Sequence, residues 1–522
     1  MQSARSAAIS SLVLLVAVLL ACASAAAARR PVVCNAPSIS AYLAPSQVPP
    51  GCPVGPAFGG AVAVGDARPI PADRKFVSPV VDSAIQNVSA KMKDQDLAGI
   101  FANSLPNTLD TTVYLFQQSP SLSSFIITGD ITAMWLRDST NQLLPYLRFV
   151  QQDSNLRNLV HGAINRQVEN ILSDVYANAF NLDQVSNHGD HTDDQTSRPS
   201  YLGTSVDAMA NKLVFERKYE LDSLCAVLKL SYAYYNATRT LTPFNANWVS
   251  AISLILSTMQ IQTQDTAQED KNGGPAYSFQ RTTNEPSDSL LHGRGYPCSF
   301  TGMIKSNFRP SDDANIYCFS IPSNAMAVVE LRHVAEILSA LGQSALASQA
   351  SALATSVDAA IRAYGVVQHP VAGQIFAYEV DGFGNYLFMD DANIPSLLSL
   401  PYLGYINASD ALYQRTRAAV LSSTNPWYFS GAATDGVGGP HNGVGWIWPM
   451  AISIRAFTSV SDTEISKCLE DLKQSSAGSG FMHESFWRDS YGSYTRPWFA
   501  WANSLFGDLI LHISDTRPYL IY

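Results

Sequence analysis

From residue 77 to the C-terminus, apolar positions recur at helical spacing, and no linker, fixed repeat or shift of composition divides the chain. Residues three and four apart share one face of a helix, so each such segment must bury a stripe against a neighbour. The pattern runs through 81–102, 141–150, 156–172, 222–235 and 248–261. It resumes at 325–341, 345–364, 411–421, 446–457, 464–472 and 498–513. Gly342 and Gly365 stand where helix C-caps belong, and Pro497 suits a first helical turn. Strand signals are few, at 111–116, 374–379 and 386–389. About a dozen paired helices, joined alternately by short turns and long loops, predict an all-α fold: a closed α/α helical toroid with a few short strands in its loops. The long loops would gather at one end and carry the site. An open solenoid would need a repeat period, and none is visible.

Composition narrows the function classes. The 522 residues are 47% hydrophobic and 15% charged, enough to bury a large core, and the net charge is −10 with no Lys/Arg run. Nucleic acid and anionic membrane are therefore not expected partners. The first 28 residues read as a secretory signal peptide: one Arg among residues 1–6, an apolar run over 9–21, then Ala23-Ser24-Ala25 before Arg29-Arg30. The rival is an uncleaved anchor, since the apolar stretch approaches the ~20 residues a membrane span needs. Residues 29–76 read as a Pro/Gly/Ala-rich arm, and 77–522 as the catalytic domain.

Secretion implies an oxidising compartment, placing the chain in the secretory pathway, secreted or luminal. Besides Cys22 in the leader there are six cysteines, Cys34, Cys52, Cys225, Cys298, Cys318 and Cys468. They allow three disulfides, with Cys34–Cys52 the local pairing expected. Sequons begin at Asn87, Asn236 and Asn407. No CxxC or HExxH occurs, which disfavours a cysteine zinc site or zincin.

Four segments set ionisable side chains among aromatics. In 128–139, Trp135, Arg137 and Asp138 suit a grip on vicinal hydroxyls, because Arg and Asp each engage two at once. The structural alternative is a core Trp, an ion-paired Arg and an Asp138-Ser139 helix cap. Phe308 to Asp313 puts Arg309 beside two adjacent carboxylates, Asp312 and Asp313. They could merely precede a helix, or one could be held protonated by its neighbour and by burial as a general acid. Sequence leaves open which one. The glycine-rich 436–450 lacks a P-loop Lys and is read as a tight loop presenting His441 and Trp446. In 481–503, Glu484 lies among aromatics within reach of Arg496, either as its ion-pair partner or as a base; Trp498 and Trp501 share a helical face, and core packing suits at least one. Two further acidic clusters, Lys218 to Asp222 and Asp390-Asp391, could bind calcium, cap helices or line a subsite, and capping is the default. Two carboxylates from distant segments, converging in an aromatic cleft, are what glycosidic hydrolysis requires.

Taken in order, Met134 to Ser139, Phe308 to Asp313, Gly438 to His441, His483-Glu484 and Thr495 to Asn503 resemble glycoside hydrolase family 125, the metal-independent exo-α-1,6-mannosidases. The resemblance covers the chain from about residue 77. It implies an (α/α)6 barrel that removes terminal mannose from oligosaccharides or N-glycans by inverting displacement. Asp312 or Asp313 would be the acid and Glu484 the base. Trp135, Arg137, Asp138, Arg309, His441 and Arg496 would bind substrate. It implies no metal or other cofactor, no stable membrane association once the leader is cleaved, and a monomer. A glucoamylase-like or trehalase-like exo-glycosidase of the same fold, or a secreted glycan-binding protein without activity, are the competing readings.

Overall fold

The computed structural model describes residues 64–185 and 211–522, which form a helix-rich body. The leader, most of the arm and the Cys34–Cys52 pairing fall outside the described residues. The described helices are α1 Pro79–Ser89, α2 Gln95–Ser104, α3 Leu136–Leu143, α4 Ser154–Ser173, α5 Leu221–Thr238, α6 Ala246–Ile261 and α7 Thr266–Lys271, then α8 Ile321–Ala340, α9 Ser344–Ala360, α10 Ala411–Val420, α11 Pro449–Phe457, α12 Asp462–Ser475 and α13 Ala500–Thr516. None is long and apolar enough to cross a membrane.

The helices pack in two layers. In the inner one, α3 packs on α5, α5 on α8, α11 on α13, and α13 back on α3. In the second, α4 backs α5, α6 packs on α4, α9 backs α8, α12 backs α11, and α2 lies on α12 and α13. Burial follows this division. Residues 321–331 at the start of α8 and 500–507 at the start of α13 are all buried, whereas α9 buries about one residue in three. Inner helices must satisfy neighbours on every side, so they read as continuous apolar and small-residue runs; second-layer helices keep an amphipathic stripe.

Several expected boundaries shift for local reasons. Segment 81–102 is two helices, because Asp94 breaks the first and caps the second by accepting from the Asp96 and Leu97 N–H groups. Asp138 and Ser139 lie inside the first turn of α3 and do not cap it, since the helix starts at Leu136. Pro145 converts the end of the expected 141–150 helix into a 3-10 turn. Pro497 precedes α13 by three residues. Residues 64–76 already dock on the body: the Val64 N–H donates to Asp96 (3.2 Å), and Arg68 holds the buried Asp110 through Nε (2.7 Å) and Nη2 (3.0 Å).

The strands are short and mostly lie in the loops between helices. Two three-stranded sheets matter for the site. One pairs Trp135 with Ala179, and Ala179 with Glu216. The other pairs Trp446 with Trp487, Ile447 with Phe486, and Phe486 with Tyr494. Each joins segments far apart in sequence, a pairing no local pattern announces.

The disulfides expected within this body do not form. Cys225, Cys298, Cys318 and Cys468 are free thiols. Cys225 and Cys468 are buried in separate helices, α5 and α12, while Cys318 Sγ donates to the Tyr296 carbonyl (3.0 Å) and Cys298 Sγ accepts from Thr266 Oγ1 (3.8 Å).

Candidate active site

Four inner helices begin where the chain leaves a strand or loop, and the residues at or near those junctions converge on one pocket. Its wall takes Trp135, Arg137 and Asp138 from the start of α3, and Asp312 from the loop before α8. Trp448 comes from the start of α11, and Phe499 and Trp501 from the start of α13. His441, Glu484 and Arg496 complete it from the loops of the second sheet.

The turn from Arg309 to Asp313 aims its two aspartates apart. Arg309 donates its N–H to the Asp313 carbonyl (2.8 Å) and accepts from the Asp312 N–H (2.9 Å), which puts Asp312 in the left-handed region at φ 68°. Asp tolerates that conformation better than most residues, and such outliers persist where surrounding contacts over-determine them. Asp312 then faces the pocket, with 26% of its side chain exposed and its Oδ1 3.1 Å from Arg137 Nη2. Asp313 turns away. It accepts from Ser311 Oγ (3.0 Å), lies 3.6 Å from His441 Nδ1, and forms no part of the wall.

Arg137 is the electrostatic hub. Its Nη1 reaches Glu220 (2.6 Å) and Asp222 (3.5 Å), and its Nη2 reaches Asp312 and Asp138 (3.4 Å), with Trp501 5.7 Å from the guanidinium. Burial would raise Asp312, but Arg137, then a hydrogen bond with Glu220, then Lys218 and His441, hold it below the usual carboxylate range. Its partner Glu220 moves the other way, pushed well up by burial and by Asp312 against the pull of Arg137. Asp138 is raised to about 6, by burial first and then, against Arg137, by Asp312.

Glu484 has a different environment. Burial would raise it, but Arg496 (Nε to Oε1 3.3 Å), His441, Thr495 (Oγ1 to Oε2 2.8 Å) and Asn442 (Nδ2 to Oε2 3.3 Å) lower it below the ordinary glutamate value. It is an ionised carboxylate at neutral pH. Burial lowers His441, but the hydrogen bond and charge of Asp313 outweigh it and raise the imidazole to about 9, so His441 is a cation at neutral pH.

Trp135 Nε1, Asp138 Oδ2 and Trp448 Nε1 are buried yet make no hydrogen bond within the described protein. Leaving such groups unpaired costs ~1–3 kcal/mol each, which a ligand bearing hydroxyls would recover. Among the described residues no group of three His, Cys, Asp or Glu is arranged as metal ligands.

Most of the singled-out residues meet here. Arg309 does not: it is 2% exposed, with Nη2 3.4 Å from Glu379 and its guanidinium 5.8 Å from the Tyr378 ring, so it braces the turn from behind. Trp446 packs edge-on against Trp487 (5.7 Å), and Trp448 takes the place expected for it. Asp390 accepts from the Leu397 and Leu398 N–H groups, a turn cap, whereas Asp391 accepts from Ser311 Oγ (2.9 Å) and so steadies the aspartate turn. Glu220 and Asp222 form neither a cap nor a cation site; both face Arg137. The signal for them was the acidic pair just before a buried helix.

The sequence profile of the metal-independent α-mannosidases, glycoside hydrolase family 125, matches residues 94–511. The chain belongs to this family. It is also similar to the meiotically up-regulated gene 157 protein of Schizosaccharomyces pombe, 44% identical over 463 residues, 87% of this chain and 89% of that one. A solved family 125 α-mannosidase of Streptococcus pneumoniae, in a non-productive complex with α-1,6-mannobiose, superposes with a TM-score of 0.78 at 38% identity. It covers 85% of this chain and 100% of that one. A bacterial glucoamylase bound to acarbose shares the fold alone, with a TM-score of 0.50 at 13% identity over 82% of this chain and 57% of that one. This family 125 chain is thus a glycosidase of the α-mannosidase type.

Proposed function

We propose that this family 125 member removes non-reducing-terminal α-1,6-linked mannose from oligosaccharides or N-glycans by an inverting single displacement. The observation that carries the reading is that Asp312 and Glu484 share one pocket wall, Asp312 backed by Glu220, whose carboxyl is pushed well up, and Glu484 by Arg496. Glu484 takes a proton from a water that attacks the anomeric carbon. Asp312 gives a proton to the departing glycosidic oxygen. Asp313, committed to His441 and Ser311, is not the acid but holds the imidazolium in the wall. Inversion calls for a gap of ~6.5–9.5 Å between the two carboxyls, room for that water.

The α-1,6-mannobiose bound to the pneumococcal relative supports the linkage. The order of helix contacts and the likeness to glucoamylase support a closed (α/α)6 ring. Asn87, Asn236 and Asn407 are all exposed, which supports passage through the secretory pathway. The test is proton NMR of the chelator-treated protein with α-1,6-, α-1,3- and α-1,2-mannobiose. The expected result is β-mannose appearing first, from the α-1,6 substrate. Initial α-mannose overturns the inverting assignment, and no mannose from any linkage overturns the substrate.

A further inference from the structure

Glu220 lies behind the pocket wall, 1% exposed, at the N-terminal boundary of α5. Its carboxyl sits beside that of Asp312, because the two draw on common donors. Both are clamped by the same two side chains. Arg137 gives Nη1 to Glu220 Oε2 (2.6 Å) and Nη2 to Asp312 Oδ1 (3.1 Å). Asn178 Nδ2 lies 3.2 Å from Glu220 Oε1 and 3.5 Å from Asp312 Oδ1. Ser223 Oγ donates to Glu220 Oε2 (2.7 Å). The backbone fixes the approach, since the Phe308 N–H donates to the Tyr219 carbonyl (3.1 Å) and ties the aspartate turn to the start of α5.

Two carboxyls in contact cannot both ionise without strong repulsion, so such a pair retains one proton well above the range of either alone. An aspartate facing Arg137, Lys218 and His441 without such a partner would be ionised at neutral pH and useless as an acid.

We propose that Glu220 is the positioning residue for the general acid: it shares one proton with Asp312 and keeps that proton available until the glycosidic oxygen takes it. The inference rests on the hydrolytic reading above. As the anomeric C–O bond breaks, the one shared proton passes through Asp312 to the departing oxygen and leaves the carboxyl pair with none. Glu484 meanwhile holds the proton lost by the attacking water. Return of one proton from Glu484 to the carboxyl pair through solvent restores the resting site. The charged groups facing the pair are Arg137, Asp138, Asp222, Lys218 and His441, with Glu216 reached through Asn178.

The experiment compares wild type and Glu220→Gln across pH on two substrates. One is α-1,6-mannobiose, whose leaving oxygen needs a proton; the other is 2,4-dinitrophenyl α-mannoside, whose leaving group does not. Without a partner carboxyl to share the proton, Asp312 ionises earlier, so the alkaline limb for mannobiose should move at least one unit to lower pH. Turnover of mannobiose at neutral pH should fall roughly tenfold or more. Turnover of the aryl mannoside should stay within about threefold. Equal losses on both substrates, or an unmoved limb, overturn the proposal. Should the Gln variant not fold, Glu220→Asp withdraws the partner carboxyl, and an unmoved limb there overturns it equally. A wild type inert toward both mannosides sinks the hydrolytic reading itself.

Discussion

Helices of the second layer and helices that open onto the pocket begin in different ways. Second-layer α2, α4, α6 and α12 start at Asp94, Asp153, Asn245 and Ser461, and each of these side chains accepts from N–H groups in its first turn. At the inner helices α3, α5, α11 and α13 the same position holds Trp135, Glu220, Trp448 and Phe499, and none makes a side-chain cap. A cap is worth ~1 kcal/mol to a helix. Forgoing four of them is tolerable because the inner helices are stabilised by burial on all sides, and it frees those positions to face the pocket or the charged cluster behind it. Stability and chemistry thus occupy equivalent positions in different helices. Two helices depart from the rule: inner α8 is capped by Ser320, with Asp312 on the loop before it, and second-layer α9 starts at Gln343 without a side-chain cap.

Glu484→Gln draws this contrast most sharply. Turnover should drop by ~10³-fold or more while the melting temperature holds, because the amide keeps the size and most contacts of the carboxylate. Retained turnover would remove Glu484 as the base. Asp138→Asn should come next. Its buried Oδ2 makes no hydrogen bond within the described protein beyond the 3.4 Å ion pair with Arg137, so exchanging acceptor for donor should raise KM by ~10-fold to 10²-fold. A substrate titration checks it, and an unchanged KM would mean that atom does not face the sugar.

Two histidines should give stability an optimum in pH. Burial depresses His483 to about 4, so between there and its unfolded value near 6.5 only the unfolded chain binds the proton, and stability falls as pH falls. His441, raised to about 9, holds a proton the unfolded chain has lost, so stability falls as pH rises from about 6.5 through 9. Taken alone, these two contributions to the denaturant midpoint peak near pH 6.5. The raised carboxyls of Asp138, Glu220 and Asp390, protonated only in the folded chain, add a further fall with rising pH, and His441→Gln should remove the imidazole's share of it. That share should be on the order of 2 kcal/mol. A smaller loss is expected from Asp153→Ala, about 1 kcal/mol of stability with turnover untouched. Lost activity there would break the division between the layers.

The helical pattern was legible because a buried stripe leaves a 3.6-residue period in any helix, whatever its neighbour. Segments 248–261 and 411–421 lie within two residues of α6 and α10 at both ends. Boundaries failed where a single cap or proline decided them, as at Asp94 and Pro145. The residue types of the site were legible too, since charged and aromatic side chains cluster in few segments. Trp446 and Trp448 differ by two positions, yet Trp446 packs on Trp487, 41 residues on, and Trp448 lines the pocket, a difference no local pattern carries.

The sequence alone determined a helix-rich chain, its family, and a short roster of carboxylates, because periodicity, composition and motif order are local properties. The tertiary structure decided which aspartate faces the pocket, since that turns on a left-handed φ at Asp312 and on His441 claiming Asp313. It also decided that Glu220, Arg137 and Asp312 meet, although they lie 83 and 92 residues apart along the chain (220 − 137 and 312 − 220). Electrostatic environment depends on distance in space, and distance in space is what folding supplies.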